Sequence, residues 1–216
     1  MNSVGIIGFG RFGKVLSSIL QKGFSIKAFD KANVLTVSAV KMTNLDEVLC
    51  EEVIFVAVPI RRFEEVIREI APRMNVNQTV IDVCSVKTHP VDVMTKILPK
   101  SVGIIATHPL FGPESFRSST NLKMIMDPTR DLHGLFSFWK EFFTDQGIQV
   151  ICATICLINE VQNWNRENIP FYCEILLQAP MEVLSSRKDI YRRAARGEVT
   201  NVVGVDLPAN FPKDPH

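Results

Sequence analysis

The sequence lacks any hydrophobic run long enough to span a bilayer. Its longest apolar stretches, such as Val53-Ile54-Phe55-Val56-Ala57-Val58, have the length of a strand. It lacks an excess of either charge: 24 basic side chains stand against 23 acidic ones, for a net charge of +1. No basic run of the kind that tracks phosphates occurs, so a nucleic-acid or membrane-surface role is set aside. The five cysteines (Cys50, Cys84, Cys152, Cys156, Cys173) are an odd number without metal-ligand spacing. Cys152 and Cys156 stand four apart, yet no His or Cys pair completes a zinc set. The expectation is therefore reduced, buried thiols in a cytoplasmic protein, with no metal site. A G-x-S-x-G elbow is missing too, since Ser85 follows Cys84 without flanking glycines, which excludes a serine-hydrolase triad. Gly5 to Gly8 already reads as the end of a first strand, so no signal or transit peptide is expected ahead of it.

What is present is average soluble-domain chemistry, 46% apolar and 22% charged over 216 residues. That length holds one large domain, or one domain with a small appendage. Ser3 to Phe9 reads as a strand. Residues 11 to 22 place Phe12, Val15, Leu16, Ile19 and Leu20 at helical spacing before Gly23. Phe24 to Phe29 is a second strand, ending at Asp30, and a short helix precedes Leu49. Glu52 to Val58 is an apolar strand closed by Pro59. Arg62 to Ile70 is amphipathic, with Phe63, Val66, Ile67 and Ile70 on one face. Thr79 to Val83 and Val102 to Ala106 are strands flanking a helix from Val91 to Leu98. Met124 to Met126, a helix from Leu132 to Phe143, and Gln149 to Cys152 continue the alternation.

Near-continuous apolar strands alternating with helices predict an α/β fold with a doubly wound, mostly parallel Rossmann sheet. The predicted organisation is a dinucleotide-binding domain over residues 1–152, a reduced helical segment over 153–200, and a loose tail over 201–216 with three prolines. Gly8-Phe9-Gly10-Arg11-Phe12-Gly13 is G-x-G-x-x-G, placed after the first strand and opening the first helix. Gly8 permits the tight turn, Gly10 lets backbone approach a pyrophosphate, and Gly13 lets the helix pack close to the strand. The free N–H groups and positive dipole end of that helix then face the phosphates. Asp30, ending the second strand, is placed to accept hydrogen bonds from the ribose hydroxyls. That favours NAD over NADP, because a carboxylate repels a 2′-phosphate; Lys27 and Lys31 nearby soften the preference. The expected cofactor-binding set is Gly8, Phe9, Gly10, Arg11, Phe12, Gly13, Asp30, Val58 and Pro59.

Two further segments end later strands, where doubly wound folds place their ligands: Asp82-Val83-Cys84-Ser85-Val86-Lys87 and Thr107-His108-Pro109-Leu110-Phe111-Gly112-Pro113. With the glycine fingerprint, these stand in the order and approximate spacing of one known family. From residue 3 to about 150 the chain resembles the prephenate/arogenate dehydrogenases of tyrosine biosynthesis. The resemblance implies oxidative decarboxylation of a cyclohexadienol. His108 is then the catalytic histidine that polarises or deprotonates the ring hydroxyl, while hydride passes to the nicotinamide and the ring carboxylate leaves as CO2. Ser85, the second catalytic residue, is implied to hydrogen-bond that hydroxyl and the histidine, and Gly112 joins Ser85 and His108 in binding substrate. Independently of the resemblance, a hydroxyl losing hydride needs a base beside it, and histidine is the usual choice. His89, also followed by proline, is the decoy. Lys87 is expected to shape the pocket rather than do chemistry, and His133 to lie at the surface.

The resemblance departs after the nucleotide domain. Members of the family carry a substantial helical domain that supplies a dimer interface, a second histidine in an E-E-H-D-like helix and a carboxylate-binding arginine. Here about 65 residues remain from Cys152, without a histidine before His216. Asn159 to Phe171 faintly resembles a later helix of that domain. Arg166, Arg187, Arg192 and Arg193 are all available as carboxylate ligands, and nothing selects one. Apolar faces at Ile155 to Ile158 and Ile175 to Leu177 point to a homodimer or a partner subunit. Two other functions stay open: another hydroxyacid or imine-type reductase on the same domain, disfavoured because no long second-domain helix is available, and a non-catalytic NAD-binding module.

Overall fold

The computed structural model describes residues 1–32, 39–85, 87–118 and 121–152. The chain separates into two compact units, Met1–Leu157 and Ile158–His216, and the described residues belong to the first. The predicted segments 153–200 and 201–216, and the apolar faces assigned to them, lie outside the described residues.

Eight described strands form one sheet: β1 (Ser3–Ile7), β2 (Ser25–Phe29), β3 (Val40–Met42), β4 (Val53–Val56), β5 (Thr79–Asp82), β6 (Gly103–Pro109), β7 (Leu122–Arg130) and β8 (Ile148–Cys152). Their order is β3-β2-β1-β4-β5-β6-β7-β8. The first six run parallel, with β1 between β2 and β4. That is the doubly wound order, and the chain reverses direction across the sheet between β1 and β4. β7 pairs antiparallel with β6, and β8 runs parallel to β7.

The helices are α1 (Arg11–Leu20), α2 (Leu45–Val48), α3 (Ile60–Ile70), α4 (Thr88–Ile97), α5 (Pro113–Ser118) and α6 (Leu135–Asp145). Alternate residues of each central strand feed opposite faces. Val4 and Ile6, Val53 and Phe55, Ile81 and Ile105 join one core, together with Leu16 and Ile19 of α1 and Trp139 and Phe143 of α6. Ile7, Ile54 and Val56, Val80 and Ile104 join the other, with Phe63, Ile67 and Ile70 of α3 and Met94 of α4. Strands buried on both faces have no solvated side, which is why they read as continuous apolar runs. Each fully buried Val, Ile, Leu or Phe contributes about 1.5–3 kcal/mol.

Three differences from the sequence expectation have physical causes. β3 is a three-residue edge strand, too short to register as alternation. α5 spans six residues with none buried, so it carries no amphipathic stripe. β7 extends from Leu122 to Arg130, well beyond Met124–Met126, and it contains Pro128. The β6–β7 pairing is irregular between Ile104 and Ala106, which accommodates a residue without an N–H. No described helix is long and apolar enough to cross a membrane.

Candidate functional site

The first part of the site is the turn from β1 to α1. Gly8 sits at φ +96°, where a side chain is strained, and a Cβ there would lie 2.6 Å from the Ala57 carbonyl oxygen. A Cβ on Gly13 would fall 2.2 Å from the Gly8 carbonyl oxygen, so helix and turn touch backbone to backbone. Gly10 differs: a Cβ there would meet no protein atom within 4 Å. The fold itself needs the outer two glycines, while the middle one leaves open space over the turn. α1 has no side-chain N-cap and no acidic residue in its first turn. Its N–H groups are thus not covered by a side chain and fit an anionic pyrophosphate.

Asp30 ties this turn to the end of β2. Its Oδ2 accepts from the Phe9 N–H at 2.6 Å, and its Oδ1 accepts from the Ala32 N–H at 2.8 Å. An ionised carboxylate offers about four acceptor positions, so lone pairs remain for ribose hydroxyls. A cleft of about 340 Å³ opens here, lined by Gly8, Gly10, Asp30, Val58, Pro59 and Arg61 among others. The two lysines near Asp30 are compensated. Lys27 pairs with Glu51 at 2.7 Å, and Lys31 with Glu69 at 3.0 Å and Glu65 at 3.3 Å. The glycine turn, helix end and carboxylate together fit a dinucleotide.

The rest of the fingerprint is placed differently. The Phe9 side chain is fully buried in the core, and Phe12 packs on Phe111 with ring centroids 6.0 Å apart. Arg11 is exposed and reaches Glu114 of α5 at 3.4 Å. Phe111 therefore joins the His-Pro-Leu-Phe-Gly-Pro segment to the glycine turn, and Phe116 of α5 extends that stack at 6.1 Å.

The second part lies at the ends of β5 and β6. Asp82 is fully buried. Its carboxylate accepts from the Cys84 N–H at 3.0 Å, from the Thr107 N–H at 3.2 Å, and from the Lys87 ammonium in a buried ion pair. Lys87 also donates to the Thr107 carbonyl, and the Thr107 hydroxyl donates to the Asp82 carbonyl at 2.6 Å. Burial raises the Asp82 carboxyl, while Lys87 and the two backbone donors pull the other way. Burial, reinforced by Asp82, pushes the Cys84 thiol up to about 12, which removes it as a nucleophile.

His108 follows Thr107 and is half-buried on β6, opposite Ile125 of β7. Burial, then the Lys87 charge, lowers its pKa to about 4, so the imidazole is neutral at pH 7. Ser85 is exposed, and among the described residues no hydrogen bond joins it to His108. Gly112 is half-buried and immediately precedes α5, its N–H donating to Ser115 Oγ at 2.8 Å. His89 is exposed in the first turn of α4, and His133 is exposed ahead of α6. Sequence reasoning missed the Asp82–Lys87–Thr107 knot. The five-residue spacing of Asp82 and Lys87 was its one visible signal.

Comparisons with known proteins divide the chain. Residues 20–131 match the family model described as prephenate dehydrogenase, nucleotide-binding domain. Residues 131–216 match a different one, adenylylsulphate kinase. Arogenate dehydrogenase 1, chloroplastic, of Arabidopsis thaliana is 32% identical over 137 residues, covering 59% of this chain and 21% of that protein. Cytidine diphosphoramidate kinase of Campylobacter jejuni is 39% identical over 75 residues, covering 34% of this chain and 44% of that protein. The chain thus spans under half the length of either relative. A prephenate dehydrogenase from Aquifex aeolicus, solved with hydroxyphenyl propionate and NAD+, superposes with a TM-score of 0.60 at 20% identity, over 90% of this chain and 78% of that one. At that identity the likeness shows the fold alone.

These findings correct one expectation. The C-terminal region is similar to adenylylsulphate kinase, and Asn159 to Phe171 is not a remnant of the dehydrogenases' helical domain. Helical spacing over thirteen residues reports only a packed face, and any family can supply one. The kinase match begins in the stretch before α6, so it overlaps α6 and β8, which complete the described sheet. With more than half of its residues under one model, the chain belongs to the family of prephenate dehydrogenase nucleotide-binding domains.

Proposed function

We propose that this chain binds NAD and oxidises a cyclohexadienol, prephenate or arogenate, with loss of CO2. The observation that carries the proposal is a neutral, half-buried His108 at the strand end joined through Phe111 to the glycine turn. The compensation of Lys27 and Lys31 by glutamates supports NAD over NADP. When bound, NAD supplies the acceptor for the hydride leaving the carbinol carbon. His108 takes the hydroxyl proton on an imidazole nitrogen, and the ring carboxylate departs as CO2 while the ring becomes aromatic. The Asp82–Lys87–Thr107 knot fixes the backbone of β6 at Thr107, the residue before His108. Ser85, after β5, and Gly112, after β6, contact the substrate. Apolar segments of the sequence at 155–158 and 175–177 support association with a second copy or a partner subunit.

A second reading is favoured by the kinase match over 131–216: an NAD-binding module without turnover. Calorimetry with NAD, followed by NADH absorbance with prephenate and arogenate added separately, decides between them. Binding with turnover of either substrate supports the dehydrogenase. Binding without turnover supports the module, and absence of binding to either dinucleotide overturns both.

A further inference from the structure

The Asp82–Lys87 pair is the most deeply buried charge in the described region outside the cofactor cleft. Its side chains are 0% and 10% exposed. A buried ion pair is weak support for stability, because desolving two charges offsets most of their attraction. Its placement is therefore informative. The ammonium leaves the start of α4, crosses to β5 at the Asp82 carboxylate, and ends on β6 at the Thr107 carbonyl. Thr107 answers with two bonds of its own, from its N–H to the carboxylate and from its hydroxyl to the Asp82 carbonyl. Three of these bonds are made by Thr107, the residue immediately before His108.

We propose that Lys87 is a positioning residue: by tying Asp82 to the Thr107 carbonyl, it fixes the end of β6 and sets the charge environment of the adjacent His108 imidazole. Its functional meaning rests on the assignment of His108 as the proton acceptor, but its physical content does not. The other ionisable groups on the elements packed around β6 are Asp82 at the end of β5 and Cys84 after it, His89, Asp92 and Lys96 on α4, and Lys123, Asp127 and Arg130 on β7. Asp127 is buried and accepts from the Thr129 hydroxyl at 2.5 Å, and Arg130 is held by the Val102 and Pro99 carbonyls at 2.8 and 3.0 Å. Burial first, and the Lys87 charge second, lower the pKa of the His108 imidazole.

The test is an NMR titration of the His108 ring in the full chain, compared with two variants. Lys87→Met removes the ammonium. The double variant Asp82→Asn/Lys87→Met removes both charges together, so that no carboxylate is left buried and unpaired. The imidazole midpoint is expected to rise by about one unit in Lys87→Met, the scale of one partly screened charge, and by less in the double variant, where the opposite charge of Asp82 is lost with it. Lys96→Met, whose ammonium pairs with Asp92 on the exposed face of α4, is the control and leaves the midpoint in place. NAD affinity stays within about twofold in all three, since Lys87 does not line the cleft. A midpoint unchanged in both Lys87→Met and the double variant overturns the proposal, as does an equal rise in Lys96→Met. If His108→Asn leaves dehydrogenase turnover intact, the functional assignment fails while the titration still decides the role of Lys87.

Discussion

The two ends of the site are built by opposite means. The cofactor end is made by leaving side chains out: Gly8 and Gly13 let backbone touch backbone, and Gly10 leaves its space open. The chemical end is made by putting charge in, with Asp82 and Lys87 drawn out of water beside His108. The first is a steric device, tolerant of pH and salt and intolerant of a single methyl group. The second is an electrostatic device, whose value depends on protonation and on burial. A doubly wound sheet carries both along one edge without their competing for the same residues.

The sharpest separation comes from His108→Asn. It is expected to lower kcat for prephenate or arogenate oxidation by about 10²–10⁴-fold, with NAD affinity by calorimetry essentially unchanged. Equal loss of both would mean that the two ends are not independent. Gly13→Ala acts in reverse. Its new Cβ would lie 2.2 Å from a backbone oxygen, so the turn must shift. We expect NAD binding to weaken by about 10²-fold and stability to fall by about 1–3 kcal/mol, read by calorimetry and thermal melting.

A smaller effect appears on titrating stability. His108 has a pKa of about 4 in the fold against 6.5 for the ordinary group. Between these values the unfolded chain binds the extra proton. The contribution of the neutral imidazole is thus fully present above about 6.5 and is lost as pH falls toward about 4. Denaturant midpoints across pH 4–7 should drop on the acid side, and less steeply in His108→Asn. The smallest effect is expected from Arg11→Ala. The side chains of Arg11 and Glu114 are 79% and 76% exposed at 3.4 Å, and such pairs contribute about 0–1 kcal/mol. A large loss of NAD affinity in that variant would show that Arg11 acts on the cofactor and not merely beside it.

The same contrast explains what the sequence made legible. The steric end was readable because its requirements are positional: G-x-G-x-x-G after an apolar strand, then Asp30 at the end of the next strand. Val58 and Pro59 were readable as the close of a buried strand, and both line the cleft. The sheet was readable because β1, β4, β5 and β6 are apolar on both faces. The electrostatic end was only half readable. His108 and Asp82 were visible within family-like motifs, but the bond from Lys87 to the Thr107 carbonyl depends on how α4 enters, which spacing does not encode. Phe9, Arg11 and Phe12 lie inside the same motif, and their side chains serve the core, the surface and the stack on Phe111, a placement the motif's spacing does not encode. The likeness of residues 131–216 to adenylylsulphate kinase was not legible, because helix-like spacing alone names no family.

The reversal of β7 has a consequence for motion. In an all-parallel sheet the carboxyl end of a strand projects into the ligand crevice and frays there. Here β7 runs back along β6, so Thr107, His108 and Pro109 lie opposite Met126, Ile125 and Met124. The candidate base is a rung inside a ladder rather than a residue on a loose end. Amide hydrogens around Thr107 and His108 should therefore exchange with solvent on the slow timescale of the central sheet, not on that of the neighbouring loops.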